Sequence, residues 1–187
     1  MRLLPARHHR RMPWKNGGGE TREIAISPGA TTLVDFDWRL SMAHVASDGP
    51  FSLFPGIERT LCILNGAGIR LTPSGEETRL VTLTSPPFTF SAEIPVAAEL
   101  VDGPILDLNV MTRLSAWRHE VTPIQAGEDI SLQPCDAAFL VCRAGALTAR
   151  AGGETVEIVS EDAVDLTSTA DLRLDGSGDG FLVRLLR

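Results

Sequence analysis

Short runs of alternating apolar and polar residues, broken by clusters of turn-forming residues, dominate the chain. In the stretch from Phe36 to Val45, Phe36, Trp38, Leu40 and Met42 fall on one side of an extended backbone and Asp37, Arg39, Ser41 and Ala43 on the other. In the stretch 103–113, Leu106, Leu108 and Val110 face one way and Asp107, Asn109, Met111 and Arg113 the other. Near the start, Ile24 and Ile26 are expected to share a face. A period of two marks a strand with two different sides. Turn signals separate the runs, among them Pro55-Gly56, Asn65-Gly66, Gly152-Gly153 and the glycine-rich stretch from Asp175 to Gly180. No long stretch keeps an apolar period of 3.6 residues, so the pattern predicts an all-β protein, as a sandwich or barrel.

Residues 61–81 also align with residues 139–159: Leu61 meets Phe139, Ile63 meets Val141, Ile69 meets Leu147, and Gly75-Glu76 meets Gly153-Glu154. This predicts two related β-modules built on hairpins of matched length. The first, 1–113, carries the unusual polar residues; the second, 114–187, lacks them.

Composition narrows the class. The 187 residues are 43% hydrophobic and 22% charged, enough for a sizeable core. A formal net charge of −7 argues against nucleic acid or an anionic membrane as partner, since both require clustered positive charge. The basic start is not followed by the apolar run of a signal peptide, and no segment is apolar for long enough to form a membrane helix, so a cytoplasmic protein is expected. Cys62, Cys135 and Cys142 show no CxxC spacing and two of them sit in apolar runs, which favours structural thiols.

Three groups of residues are candidates for chemistry. Arg39 and Ser41 share one face of their strand, and Asp107 and Asn109 stand in mid-strand against β-propensity. They either line an interior cavity or, in the bland reading, form an ordinary polar face with Asp107 neutralising Arg39 or Arg59. The third group surrounds Gly17, Gly18 and Gly19 with Lys15, the single lysine, and with Asn16, Thr21 and Arg22. Such a run lets backbone amides approach an anion, or simply turns the chain into the next strand. It is neither a phosphate loop nor a dinucleotide fingerprint. The four histidines include no HxH pair, and no GxSxG or Cys–His arrangement is present, so no metal, cofactor or nucleophile is expected.

The stretches 13–25, 36–71 and 107–113, taken in that order, resemble the HutD/Ves family of bacterial proteins. The resemblance implies a cupin-type fold, a double-stranded β-helix repeated as a bicupin, and a link to histidine utilisation. It also implies a pocket for a small acidic metabolite such as urocanate or formylglutamate, which the histidine pattern leaves metal-free. The family motifs fall on Trp14, Lys15, Asn16, Gly17, Gly18, Thr21, Arg22, Arg39, Ser41, Asp48, Arg59, Asp107, Asn109 and Met111.

The leading expectation is a non-catalytic, regulatory binder of a small anionic metabolite. Lys15 and Arg39 would hold its carboxylate, Asn16, Ser41 and Asn109 would orient it, and Trp14 and Met111 would wall it. An alternative is a metal-free isomerase or lyase using His44 or Asp107 as general base. A second alternative is an interaction module whose barrel is internally salt-bridged. A homodimer is compatible with exposed strand edges and an apolar second barrel.

Overall fold

The computed structural model describes residues 1–30 and 35–187. The chain divides into two compact units, Arg10–Arg118 and a second made of Met1–His9 with His119–Arg187. The division thus falls after residue 118 where 113 was expected, and the first nine residues join the later unit. Residues 114–118 turn back on the preceding strand, with the amides of Ala116 and Trp117 both donating to the Arg113 carbonyl, 3.1 and 2.8 Å.

Strand β1 (Arg2–Leu4) and a single 3-10 turn over Ala6–His8 open the chain. The unit Arg10–Arg118 holds β2 (Arg10–Pro13), β3 (Gly19–Ile26), β4 (Trp38–Val45), β5 (Gly49–Pro50), β6 (Ile57–Asn65), β7 (Ile69–Pro73), β8 (Arg79–Val81), β9 (Phe88–Ser91), β10 (Val96–Leu100) and β11 (Ile105–Arg113). They form a six-stranded sheet in the order β2-β3-β4-β11-β6-β9 and a four-stranded sheet in the order β5-β10-β7-β8.

The other unit holds β12 (Arg118–Gln125), β13 (Asp129–Ser131), β14 (Ala137–Ala144), β15 (Ala146–Ala151), β16 (Glu154–Val159), β17 (Ala163–Asp165), β18 (Asp171–Gly176) and β19 (Asp179–Leu186). Its sheets run β1-β17-β14-β19-β12 and β13-β18-β15-β16. The fold is therefore all-β, as the alternation predicts. The sheets are not closed into barrels: among the described residues each unit pairs two separate sheets.

The strands of 61–81 and 139–159 are not simple hairpins. In both, the first strand (β6 or β14) belongs to the larger sheet, and the chain then crosses to a β7–β8 or β15–β16 hairpin in the smaller one. The order β9-β6-β11-β4 in one unit is matched by β17-β14-β19-β12 in the other.

Apolar residues from both sheets of the Arg10–Arg118 unit make its core. Ala43, Val45, Leu61, Ile63 and Ile105 of the larger sheet pack with Ile69, Leu71, Val81, Val96 and Ala98 of the smaller. These larger-sheet residues share the side of their strands that carries Arg39, Ser41, Arg59, Asp107, Asn109 and Met111, because side chains two apart project the same way. One side of the sheet is thus apolar core towards one end and polar towards the other. The opposite side is buried too: Leu40, Met42, Leu108 and Val110 are fully inaccessible. In the second unit, Leu140, Leu147, Ile158, Val164, Leu172 and Leu174 anchor an apolar core.

Candidate functional site

The polar end of the larger sheet in the Arg10–Arg118 unit borders a cavity of about 510 Å³. Three adjacent strands build its floor. On β11 the positions Asp107, Asn109 and Met111 are opposite Ala43, Ser41 and Arg39 of β4 and Ile63, Leu61 and Arg59 of β6. Met111 therefore lies between the two arginines, with Asn109 and Asp107 following along the same strand. The mid-strand polar residues that oppose β-propensity face this cavity.

Arg59 is the most unusual group. Its residue is buried, and its guanidinium lies over three phenylalanine rings, with centroids 5.2 Å away for Phe51, 5.3 Å for Phe54 and 5.9 Å for Phe90. Ring faces carry negative quadrupole and attract a cation, but they supply no hydrogen-bond acceptor of carboxylate strength. Among the described residues Nε of Arg59 has no hydrogen-bond partner. Burial pulls its pKa down to about 10, partly opposed by the charge of Asp107.

Asp107 is completely buried. Its Oδ1 accepts from Nδ2 of Asn109 at 2.6 Å, while its Oδ2 has no partner among the described residues. Burial pushes its carboxyl up to about 7, against the opposing pull of Arg59, the Ala43 backbone and the Asn109 amide. The two buried charges feel each other, yet no ion pair joins them.

Arg39 behaves differently. Its Nε donates to Oε2 of Glu23 at 2.9 Å, with both side chains at least nine-tenths buried, so its anionic partner in the protein is Glu23 and not Asp107. The partner comes from the β3–β4 register: Glu23 lies opposite Ser41, on the side of the sheet that carries Arg39. Only beyond it does a β-bulge shift the ladder between Glu23 and Ala25, so that Ile26 lies opposite Arg39. Ile24 and Ile26 thus do not follow one uninterrupted alternation.

The loop after β2 closes another side of the cavity. Trp14, Lys15 and Asn16 line it, with the Trp14 indole N–H donating to the Thr21 hydroxyl at 2.8 Å. The glycines make a turn, not an anion cradle. The Gly17 amide donates to the Trp14 carbonyl and the Gly18 amide to Oδ1 of Asn16, so both donors are already used. Gly17 has φ of 73°, and a Cβ on Gly19 would lie 2.2 Å from the His44 carbonyl oxygen and 3.0 Å from the Trp14 ring. Neither Gly17, Gly18 nor Arg22 lines the cavity. Arg22 instead donates from Nε to Glu20 at 2.9 Å, which lowers the Glu20 carboxyl.

The structure therefore brings together at one cavity Trp14, Lys15, Asn16, Thr21, Arg39, Ser41, Arg59, Asp107, Asn109 and Met111. His44, considered as a base, is exposed on β4 and is not among the lining residues. Sequence reading missed Met12, Phe51, Phe54 and Glu23. The repeated phenylalanines between Gly49 and Gly56 are the one signal that could have raised the aromatic pair. Asp48, also at the cavity, accepts from the Leu100 amide at 2.7 Å.

Among the described residues no cluster of three or more His, Cys, Asp or Glu side chains could hold a metal ion. The thiols of Cys62 and Cys142 are buried, and burial raises the Cys142 pKa to about 11, so they are unreactive at neutral pH. No helix of the structure is long and apolar enough to cross a membrane.

A family model described as HutD matches residues 6–183. The chain is 45% identical over 116 residues to Protein Ves of Citrobacter koseri, covering 60% of this chain and 59% of that protein. It is 42% identical over 118 residues to an uncharacterised 21.2 kDa protein in the hutC 3' region of Pseudomonas putida, covering 63% and 61%. These matches thus span about three fifths of the curated relatives' length. Among solved structures, HutD from Pseudomonas fluorescens SBW25 superposes with a TM-score of 0.84 at 30% identity, covering 98% of this chain and 97% of that one. A cupin 2 conserved barrel domain protein from Leptotrichia buccalis superposes with a TM-score of 0.59 at 10% identity, covering 89% and 87%, which shows a cupin-like fold and no more.

Proposed function

The chain belongs to the HutD family, and from that premise we propose that the cavity of the Arg10–Arg118 unit binds a small carboxylic acid. The observation that carries the reading is Arg59: a buried cation lining a cavity, resting on three rings, with an unpartnered Nε. A buried guanidinium without a hydrogen-bonding anion is costly, and a ligand carboxylate would relieve that cost through bonds contributing about 1.5–3 kcal/mol each.

This reading moves the principal anion contact from Arg39 to Arg59, because Glu23 already compensates Arg39. Lys15 supplies a second cation at the exposed loop, and Ser41 and Asn109 supply orienting polar groups. The ligand is a histidine-derived acid such as urocanate or formylglutamate, and the role is regulatory, within the cytoplasm. Support for that context comes from the Pseudomonas putida relative in the hutC 3' region. We further read the two units as degenerate copies of one cupin module, on the strength of their matched strand orders.

A catalytic reading has one observation in its favour: Asp107 lines the cavity with its carboxyl raised to about 7, which suits a general base at neutral pH. Turnover of a bound acid, lost in Asp107→Asn, would favour it.

The test is thermal unfolding with millimolar urocanate, formylglutamate and histidine, for the wild type and Arg59→Gln. We expect stabilisation by one of the acids that vanishes in the variant; a ligand at about 100 times its Kd stabilises by about 2.7 kcal/mol. No shift with any acid would remove the proposal.

A further inference from the structure

Two buried charges face the same cavity, and each lacks something. Arg59 has an unpartnered donor at Nε, and Asp107 has an unpartnered acceptor at Oδ2. They lie on neighbouring strands of one sheet face, yet they do not satisfy each other by an ion pair. Buried polar atoms are almost always hydrogen-bonded, so two orphans of opposite character at one cavity call for a common explanation. A carboxylate alone answers only the arginine. It leaves Asp107 unserved and places a second anion near it, which a low-dielectric setting penalises.

Resting on the acid-binding reading above, we infer that the ligand is bifunctional: an acid whose carboxylate meets Arg59 and which also presents an N–H donor to Oδ2 of Asp107. The specificity of the cavity then lies in Asp107, which admits an amide or azole N–H and rejects an isosteric acid without one. The reason is general: an apolar or acceptor atom placed against a buried acceptor leaves that acceptor unpaired, which discriminates far more strongly than a small difference in shape.

Asn109 makes the idea testable, because it fixes which oxygen of Asp107 is available. Its Nδ2 donates to Oδ1 at 2.6 Å, leaving Oδ2 for the ligand. In Asp107→Asn the amide oxygen stays on Asn109, since two NH2 groups cannot bond each other. The new NH2 therefore takes the place of Oδ2. A donor then replaces an acceptor with almost no change in shape, and the preference for an N–H is removed or reversed.

The experiment uses two matched acid pairs, measured by isothermal titration on the full chain at pH 8. Urocanate is compared with 3-(furan-3-yl)acrylate, in which a furan replaces the N–H-bearing imidazole. N-acetylglycine is compared with 4-oxopentanoate, in which a CH2 replaces the amide N–H. The expected result is that the N–H member of at least one pair binds the wild type about tenfold or more tightly than its partner, and that Asp107→Asn removes or reverses the preference. Equal affinity within each binding pair in the wild type overturns the inference, whatever the variants do, and leaves the acid-binding reading standing. Loss of all binding in Arg59→Gln, with the preference intact in the wild type, supports both. Failure of every acid to bind the wild type overturns both.

Discussion

Asp107 couples the cavity to pH. Its carboxyl has an ordinary pKa near 3.8 and is raised to about 7 by burial, so the folded protein holds this proton more tightly than the unfolded chain does. Folding therefore takes up a proton between those values. Its contribution favours the native state most below about pH 4, declines as pH rises to 7 and stays unfavourable above that. A shift of this size corresponds to about 4 kcal/mol. Urea unfolding at intervals from pH 4 to 8 should show this loss in the wild type, and Asp107→Asn should lack it; parallel profiles would show that the group is not titrating as described. Glu23 and Arg39 form a buried ion pair. Glu23→Ala strands a buried guanidinium and should cost about 3–5 kcal/mol, whereas Glu23→Ala with Arg39→Leu should cost less, because the uncompensated charge is gone. Equal destabilisation in the two proteins would argue against a mutual pairing. Residue types alone did not reveal this partnership: Arg39 was legible as an inward cation, but its anion is chosen by the register of β3 on β4, which no alternation pattern encodes.

At the scale of elements, the loop from Trp14 to Gly19 and the floor strands depend on each other. Gly19 lies opposite Val45 at the end of β4, so close to the His44 carbonyl that no side chain fits. Gly19→Ala should push β3 away from β4 and displace the Trp14 ring, with a cost of about 1–3 kcal/mol. Tryptophan fluorescence and the melting temperature should both move. Gly17→Ala, in open space with positive φ, should cost about 1 kcal/mol and leave the Trp14 signal nearly unchanged. A Gly19→Ala variant indistinguishable from the wild type would mean that this strand contact is not close. The strands β4 and β11 were legible in the sequence because each has a polar and an apolar side at a period of two. The crossing from β6 to β7 was not, since a turn that closes a hairpin and one that carries the chain into a second sheet use the same residues.

At the scale of the whole molecule, the chain returns to its beginning. Strand β1 adds to β17, placing Leu3 opposite Val164 and Leu4 opposite Ala163. In an antiparallel ladder one of two successive residues donates to its neighbour strand, so prolines at both Leu3 and Leu4 remove that bond. Hydrogen exchange should then quicken in β17 while β4, β6 and β11 keep their protection; uniform acceleration would show one cooperative body instead of two units. The sequence by itself determined the all-β class and the strands that carry Arg39, Ser41, Asp107 and Asn109 inward, because side-chain alternation and breaks in β-propensity are local properties. Only the tertiary structure decided that Glu23 takes Arg39, that Phe51 and Phe54 reach Arg59, and that residues 1–9 belong with the end of the chain. Those outcomes depend on register, bulges and pairing between distant segments, which are settled when the sheets assemble and leave no local mark in the residues that make them.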